Sequence, residues 1–405
     1  MILTSGQPFW LTEKGLVRYP LLSEDVSCDV AIVGGGITGA FLGYYLTRAG
    51  LRAVVLDASY VGNGSTSAST AMCQYELDVD LKDLRQKVGI KRANEAYLGN
   101  VYSVHALGQL CQHELPDACG FSYCQSLYLA SRAADVPGLE EEGDARRGIG
   151  LQVETLSEAE LLRRFQLKRP AALLSEDTAQ VNSYQLTHTL LQEAVKDGLR
   201  VFERTCVDHC EHATDGQSVT LVAGAHRVQA KHTVVCTGYA AAQLVPQDLV
   251  NLTSTYVVIS RPDEAAALPT GTAQIWETAR PYLYTRTTPD GRLMIGGRDE
   301  EVKHAAFRNT VLESKVAKLE EQFAGLFTTD IPFTRDFVWA GIYGETEDGL
   351  PYIGPHKDFP RTYFALGYGG NGTTYSLLAA EIIRDTLLGR QHRYAETFSF
   401  NRKNS

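Results

Sequence analysis

Apolar residues fall along this chain in blocks that name their own elements. CDVAIV (28–33) is a continuous run rich in Val and Ile, the pattern of a buried parallel strand. A glycine turn, Gly34-x-Gly36-x-x-Gly39, follows at once. AFLGYYLTRAG (40–50) is then apolar nearly all round, as in a helix buried against a sheet. Gly50 stands where a C-terminal cap belongs, and LRAVVLD is a second buried strand ending in Asp57, 21 positions after Gly36. ALGYGGNGTTYSLLAAEIIRDTLLG (365–389) has a similar layout: a glycine cluster opens a helix whose buried face carries Leu377, Leu378, Ile382 and Leu387.

Between these blocks, residues 86–174 read mainly as helices. DLRQKVGIKRANEAYLGNVYSVHALGQL is long and periodic, and Ser157 with Glu160 makes a capping box that opens EAELLRRF. SYQLTHTLLQEAVKDG is a helix with Leu186, Leu190 and Ala194 on one face, and it leads to the strand LRVFERTCV. TSTYVVIS and the pair PYLYTRT/GRLMIGG read as strands of an antiparallel sheet, the pair meeting in a hairpin at Pro289-Asp290-Gly291.

Composition changes the picture in three ways. A chain of 405 residues exceeds what one core usually serves, so two domains are expected. The net charge of −10 argues against nucleic acid or an anionic membrane as partner. Eight cysteines follow no disulfide-framework spacing, and no secretory signal or membrane span stands out, which points to reduced thiols in the cytoplasm. The nearly uncharged stretch 28–47 is broken by five glycines and Asp29, so it divides into strand and helix instead of spanning a bilayer.

Strand, glycine turn, helix, strand and acidic end together make a dinucleotide-binding unit. Bare glycines let the backbone approach a pyrophosphate, and Asp57 can accept hydrogen bonds from both ribose hydroxyls. The first glycine turn alone does not separate FAD from NAD. The second cluster does: Gly369, Gly370, Asn371 and Gly372 leave backbone N–H groups open, Thr373 and Thr374 can cap, and a second helix N-terminus suits the charge of a reduced flavin. VGNGSTSAST (61–70) is small and polar enough to wrap the pyrophosphate and flavin edge, and VVCTGYA (234–240) is a buried strand returning to the same crevice at Thr237-Gly238.

With DVAIVGGGITG, GSTSAST, VVCTG, YLYTRTTPDGRLMIGG, DGLPYIGP and GYGGNGTT in order over residues 28–389, the chain resembles the D-amino-acid-oxidase family of FAD-dependent oxidoreductases. The similarity is to the branch with glycine oxidase, sarcosine oxidase and the gamma-glutamylputrescine oxidases. The resemblance implies an α/β fold: a Rossmann-like FAD-binding domain with a discontinuous chain (1–85, 175–244 and 336–405) and an α+β substrate domain on an antiparallel sheet (86–174 and 245–335). It implies extended FAD, with the C–H of a substrate amine over the ring. The positions it offers to FAD include Gly34, Gly36, Ile37, Thr38 and Gly39. Asp57, Ala58, Gly64, Ser65, Thr66 and Ser67 follow, then Ala71, Met72, Val207, Thr237 and Gly238, and the 369–374 cluster closes the set. Val207 ends a strand that contacts adenine in family members.

The substrate end departs from the family. Glycine oxidases carry Arg at the positions of Ile342 and Gly370, and sarcosine oxidases carry basic residues at those of Ala71, Gln74 and Thr374; all five are neutral here. Arg286 and Arg298 remain as candidates for a substrate carboxylate. Gln74, Tyr256, Trp276, Tyr284, Trp339 and Tyr343 are further pocket candidates. No catalytic residue is assigned, since a neutral amine can deliver hydride without an obligate base. The cysteine nearest the DGLPYIGP segment is Cys236, so FAD is expected to be non-covalent. CVDHCEH (206–212) matches no common zinc spacing, and no metal is expected. The reading is therefore an FAD-dependent oxidoreductase acting on a C–N bond of an amine or amino acid, with oxygen or another electron acceptor. The alternatives are a hydroxy-acid or sugar-phosphate dehydrogenase and a flavoprotein redox partner.

Overall fold

A computed structural model describes residues 4–14, 16–117, 119–238, 249–302 and 305–402. One sheet has the order Tyr352–His356, Phe359–Leu366, His226–Val235, Val26–Val33, Ala53–Leu56, Arg200–Phe202. From Phe359–Leu366 to Arg200–Phe202 every pairing is parallel. Such strands are covered on both faces, which is why Ala53–Leu56 is apolar and buried throughout. The crossover helix Ile37–Arg48 packs against Ser183–Lys196 on one side and Gly372–Leu387 on the other. It stops at Gly50, whose φ of +83° and N–H bond to the Thr47 carbonyl make the cap.

The second sheet runs Ser5–Gly6, Arg335–Glu345, Asn251–Ser260, Leu293–Glu301, Leu283–Thr287, Gln274–Glu277, Ser122–Leu129, Ala171–Gln180, Met72–Cys73, with Val153–Ser157 paired to Ala171–Gln180. It is antiparallel except where Gln274–Glu277 meets Ser122–Leu129. The hairpin turns through Gly291 at φ +73°. One face is covered by Ala305–Ala324, with Ile275, Ile295, Val316, Leu319 and Phe323 in the shared core.

Residues 86–174 are mainly helical, as the sequence indicates. They hold the strands Ser122–Leu129 and Val153–Ser157 and the start of Ala171–Gln180 besides their helices. These strands are alternating or fully buried, so helical periodicity was not their signal. The second sheet also keeps Ala171–Gln180 and Arg335–Glu345 to their ends, past the junctions expected at 175 and 336, and it takes Ser5–Gly6 and Met72–Cys73 from the first 85 residues. Both long strands continue their ladders past these two positions. The junction placed at 244/245 lies outside the described residues. Elsewhere the capping box is formed, with Ser157 and Glu160 bonding each other's backbone N–H.

Candidate active site

A cavity of 1210 Å³ runs between the two sheets. At one end is the first glycine turn. Gly34 has φ +114°, and a Cβ on Gly39 would lie 1.9 Å from the Gly34 carbonyl oxygen, so the helix can start this close to the turn only without a side chain. Asp57 accepts from the N–H groups of Gly35 and Ser59, both at 2.7 Å, while burial raises its carboxyl pKa. The Ile37 N–H donates to Thr66 Oγ1 at 3.1 Å, which joins the GSTSAST segment to the helix start. Thr38 Oγ1 lies 2.8 Å from Ser376 Oγ, so the two glycine-led helices meet at their N-termini.

The second cluster is built differently. Gly369 has φ +58°, and the Gly370 N–H donates to Asp78 Oδ2 at 3.0 Å. Asn371 Nδ2 donates to the carbonyls of Gln74 and Glu76 at 3.0 and 2.9 Å. The cluster is thereby tied to the extended segment 70–78. In that segment Thr70, Met72, Gln74, Glu76 and Asp78 line the cavity, while Ala71, Cys73 and Tyr75 are buried behind it.

Opposite stand Thr255, Trp276, Tyr282, Tyr284 and Tyr343, from four strands of the second sheet or their flanks. Trp276 stacks on Tyr128 with centroids 3.8 Å apart, and its Nε1 donates to Ser126 Oγ. Tyr282 donates to Asp78 Oδ1 and Tyr343 to Asp299 Oδ2, both at 3.1 Å. Burial, then the repulsion of nearby Asp78, pushes Asp299 up to about 6 and Glu345 up to about 7.

Most predicted cofactor positions line this one cavity: Gly34, Gly36, Ile37, Thr38, Asp57 and Ala58, then Gly64, Ser65, Thr66, Met72 and Val207, then Thr237, Gly238 and residues 369–373. Four do not. Gly39 packs on Gly34, Ser67 bonds the Gly64 carbonyl, Ala71 is turned away beneath Arg286, and Thr374 is bonded to Asn100. Of the pocket candidates, Gln74, Trp276, Tyr284 and Tyr343 line the cavity. Tyr256 lies outside its lining and is bonded to Glu300, while Trp339 is buried against the Ala68 carbonyl. Arg286, 1% exposed, holds the carbonyls of Thr70, Ala71, Val181 and Thr287, and only its Nη2 lacks a hydrogen bond. Neither Arg286 nor Arg298 is a lining residue.

Sequence reasoning missed Glu76, Asp78, Thr255 and Tyr282. The alternation of T-A-M-C-Q-Y-E-L-D and the spacing of Tyr282 to Tyr284 were the available signals.

The residues fit FAD on an observation independent of motif. Ser65 Oγ and Thr237 Oγ1 are buried, line the cavity and have no hydrogen-bond partner in the protein. Buried hydroxyls of this kind are normally satisfied, so these two await a polar ligand. In the stretch 206–212, Cys206 and Cys210 are exposed free thiols, and among the described residues no His, Cys, Asp and Glu group is arranged to hold a metal.

Fold and cavity together define a flavin-dependent oxidoreductase. The chain belongs to the FAD dependent oxidoreductase family designated DAO, which matches residues 29–386. It is 24% identical to YhfW of Bacillus subtilis (strain 168), a protein named for a Rieske 2Fe-2S centre, over 98% of this chain and 75% of that one. It is 25% identical to gamma-glutamylputrescine oxidoreductase of Escherichia coli (strain K12), over 93% of this chain and 87% of that one. The crystal structure of glycine oxidase from Geobacillus kaustophilus shares the fold, with a TM-score of 0.77 at 24% identity over 92% of this chain and 98% of that one. Among the described residues no helix is long and apolar enough to cross a membrane.

Proposed function

We propose that this protein oxidises a C–N bond of a small amine or amino acid, with FAD held non-covalently along the cavity. The supporting observation is the continuity of one cavity from Asp57 through both glycine clusters to the aromatic wall of Trp276, Tyr284 and Tyr343. Gly34, Gly36 and the Ile37–Arg48 N-terminus suit the pyrophosphate, Asp57 and Val207 the adenosine end, and Ser65 and Thr237 the remaining polar edge. FAD supplies a two-electron acceptor for hydride from the carbon beside nitrogen. The protein's own part is to exclude water with the Trp276 and tyrosine rings and to orient the amine. Cys236, the cysteine at the turn, points at the Val33 and Gly34 carbonyls, and burial pushes its thiol pKa up, which suits a spectator and not a tethering nucleophile.

The hydroxy-acid and sugar-phosphate alternatives want a cationic anchor, and no Lys or Arg is among the described residues that line the cavity. With eight free thiols, six of them buried, we place the protein in the cytoplasm.

The test is anaerobic mixing of the flavin-loaded protein with amines, N-methylated amino acids and D-amino acids while the visible absorption is followed. Bleaching by one of these supports the reading. A flavin that responds only to hydroxy acids would replace it.

A further inference from the structure

We propose that the substrate end of the cavity receives a cationic amine without a carboxylate, its far end a second ammonium held by the oxygens of Tyr282, Tyr343 and Asp78. The proposal rests on the C–N reading and names its substrate class.

The argument starts from where the protons are. Gln74 Nε2 and Trp276 Nε1 both donate to Ser126 Oγ, at 3.2 and 3.1 Å. Tyr282 commits its one phenolic proton to Asp78, and Tyr343 commits its own to Asp299. A phenol so committed offers its other partners only lone pairs. The Thr255 and Tyr284 hydroxyls lie 3.3 Å from each other. This wall therefore presents mainly acceptors, and a substrate carboxylate would be buried against oxygen, whereas N⁺–H groups would be satisfied.

Charge points the same way. Arg280 donates to the carbonyls of Glu277, Ala279 and Asp78, and Arg286 to four carbonyls, so both act as braces of the backbone. Arg146 is matched to Glu142 at 2.7 Å and approaches Glu76 at 3.6 Å. Asp78 repels both Asp299 and Glu345, and the charge of Arg280 offsets this only in part.

Glu76 adds a buried acid behind this wall. It lines the cavity at 3% exposure, and neither of its oxygens makes a hydrogen bond of full geometry. Arg146 and the Ser126 and Ser175 hydroxyls offset its burial only in part. The rings of Trp276 and Tyr284 add faces that favour a cation, while Tyr282 already stacks under Arg280.

Three probes with a common four-carbon amine chain test this on the FAD-loaded protein: putrescine, n-butylamine and gamma-aminobutyrate, which end in ammonium, methyl and carboxylate. The expected half-saturation for flavin bleaching is lowest for putrescine, about tenfold higher for butylamine, and not reached for gamma-aminobutyrate. Asp78→Asn and Tyr343→Phe should each narrow the putrescine-to-butylamine ratio several-fold. If either variant fails to fold, the wild-type ranking still decides. Melting temperature is the second readout, with putrescine expected to raise it and gamma-aminobutyrate not. A higher rank for gamma-aminobutyrate or glycine than for putrescine would sink the cationic site and leave the C–N reading standing. Stabilisation by putrescine without bleaching by any amine would do the reverse. Neither stabilisation nor bleaching overturns both.

Discussion

The two ends of the cavity are made of different material. The end we assign to the nucleotide is backbone: Gly34 and Gly36 leave room, helix N–H groups supply the potential, and Asp57 is fixed by two N–H bonds. The end we assign to the substrate is side chain: tyrosines and carboxylates from strands far apart in sequence, each orienting the next. A backbone site tolerates almost no change at its glycines and serves any substrate. A side-chain site can be rebuilt one residue at a time, which is how one fold comes to host many chemistries.

The largest effect should come from breaking the backbone end. Gly39→Ala places a Cβ 1.9 Å from the Gly34 carbonyl, and neither partner is a flexible side chain. We expect protein purified without flavin and destabilised by about 3 kcal/mol or more, read by absorbance and denaturant melts. Normal flavin content would mean that the turn bears no relation to the cofactor.

Next is Arg286→Met. If Arg286 braced a substrate carboxylate, the change would alter only substrate affinity. Its four carbonyl contacts predict instead a stability loss of about 3 kcal/mol. An unchanged melting temperature would return Arg286 to the substrate.

A third effect separates the ends by pH. Asp299, raised from the ordinary carboxylate value to about 6, should be protonated below that pH, so half-saturation by putrescine should rise as pH falls through about 6. The same shift has the opposite sign for the fold. Its stability contribution is present at low pH and is lost as pH rises through about 6. Binding that stays flat from pH 7 to about 5 would remove Asp299 from recognition.

The smallest is Trp276→Phe, which removes one N–H bond to Ser126 and keeps most of the stacking on Tyr128. A loss of about 1 kcal/mol in amine binding, about fivefold, with flavin content unchanged, would confine this residue to the substrate end.

The same division explains what could be read in advance. Glycine spacing, the helix after it and Asp57 are local, so the glycine-turn end of the cavity was legible from residues 28–57 alone. The wall opposite depends on parity. Thr255 lines the cavity while its neighbour Tyr256 lies outside that lining and is bonded to Glu300, and no local pattern says which face of a two-faced strand meets the cofactor. Arg286 and Trp339 looked like pocket residues by type, yet each is consumed by backbone carbonyls brought near only by folding. The acids at 76 and 78 lay in a readable alternation, but their polarity resembled an ordinary exposed loop.

The Thr38–Ser376 hydroxyl contact joins residues 338 positions apart. On a ribosome the second helix that abuts the first glycine turn is made 338 residues after it. Closing so long a loop is slow compared with forming local turns. Flavin capture therefore waits for the second helix: nascent chains halted before residue 365 should stay colourless however well their first strands have formed.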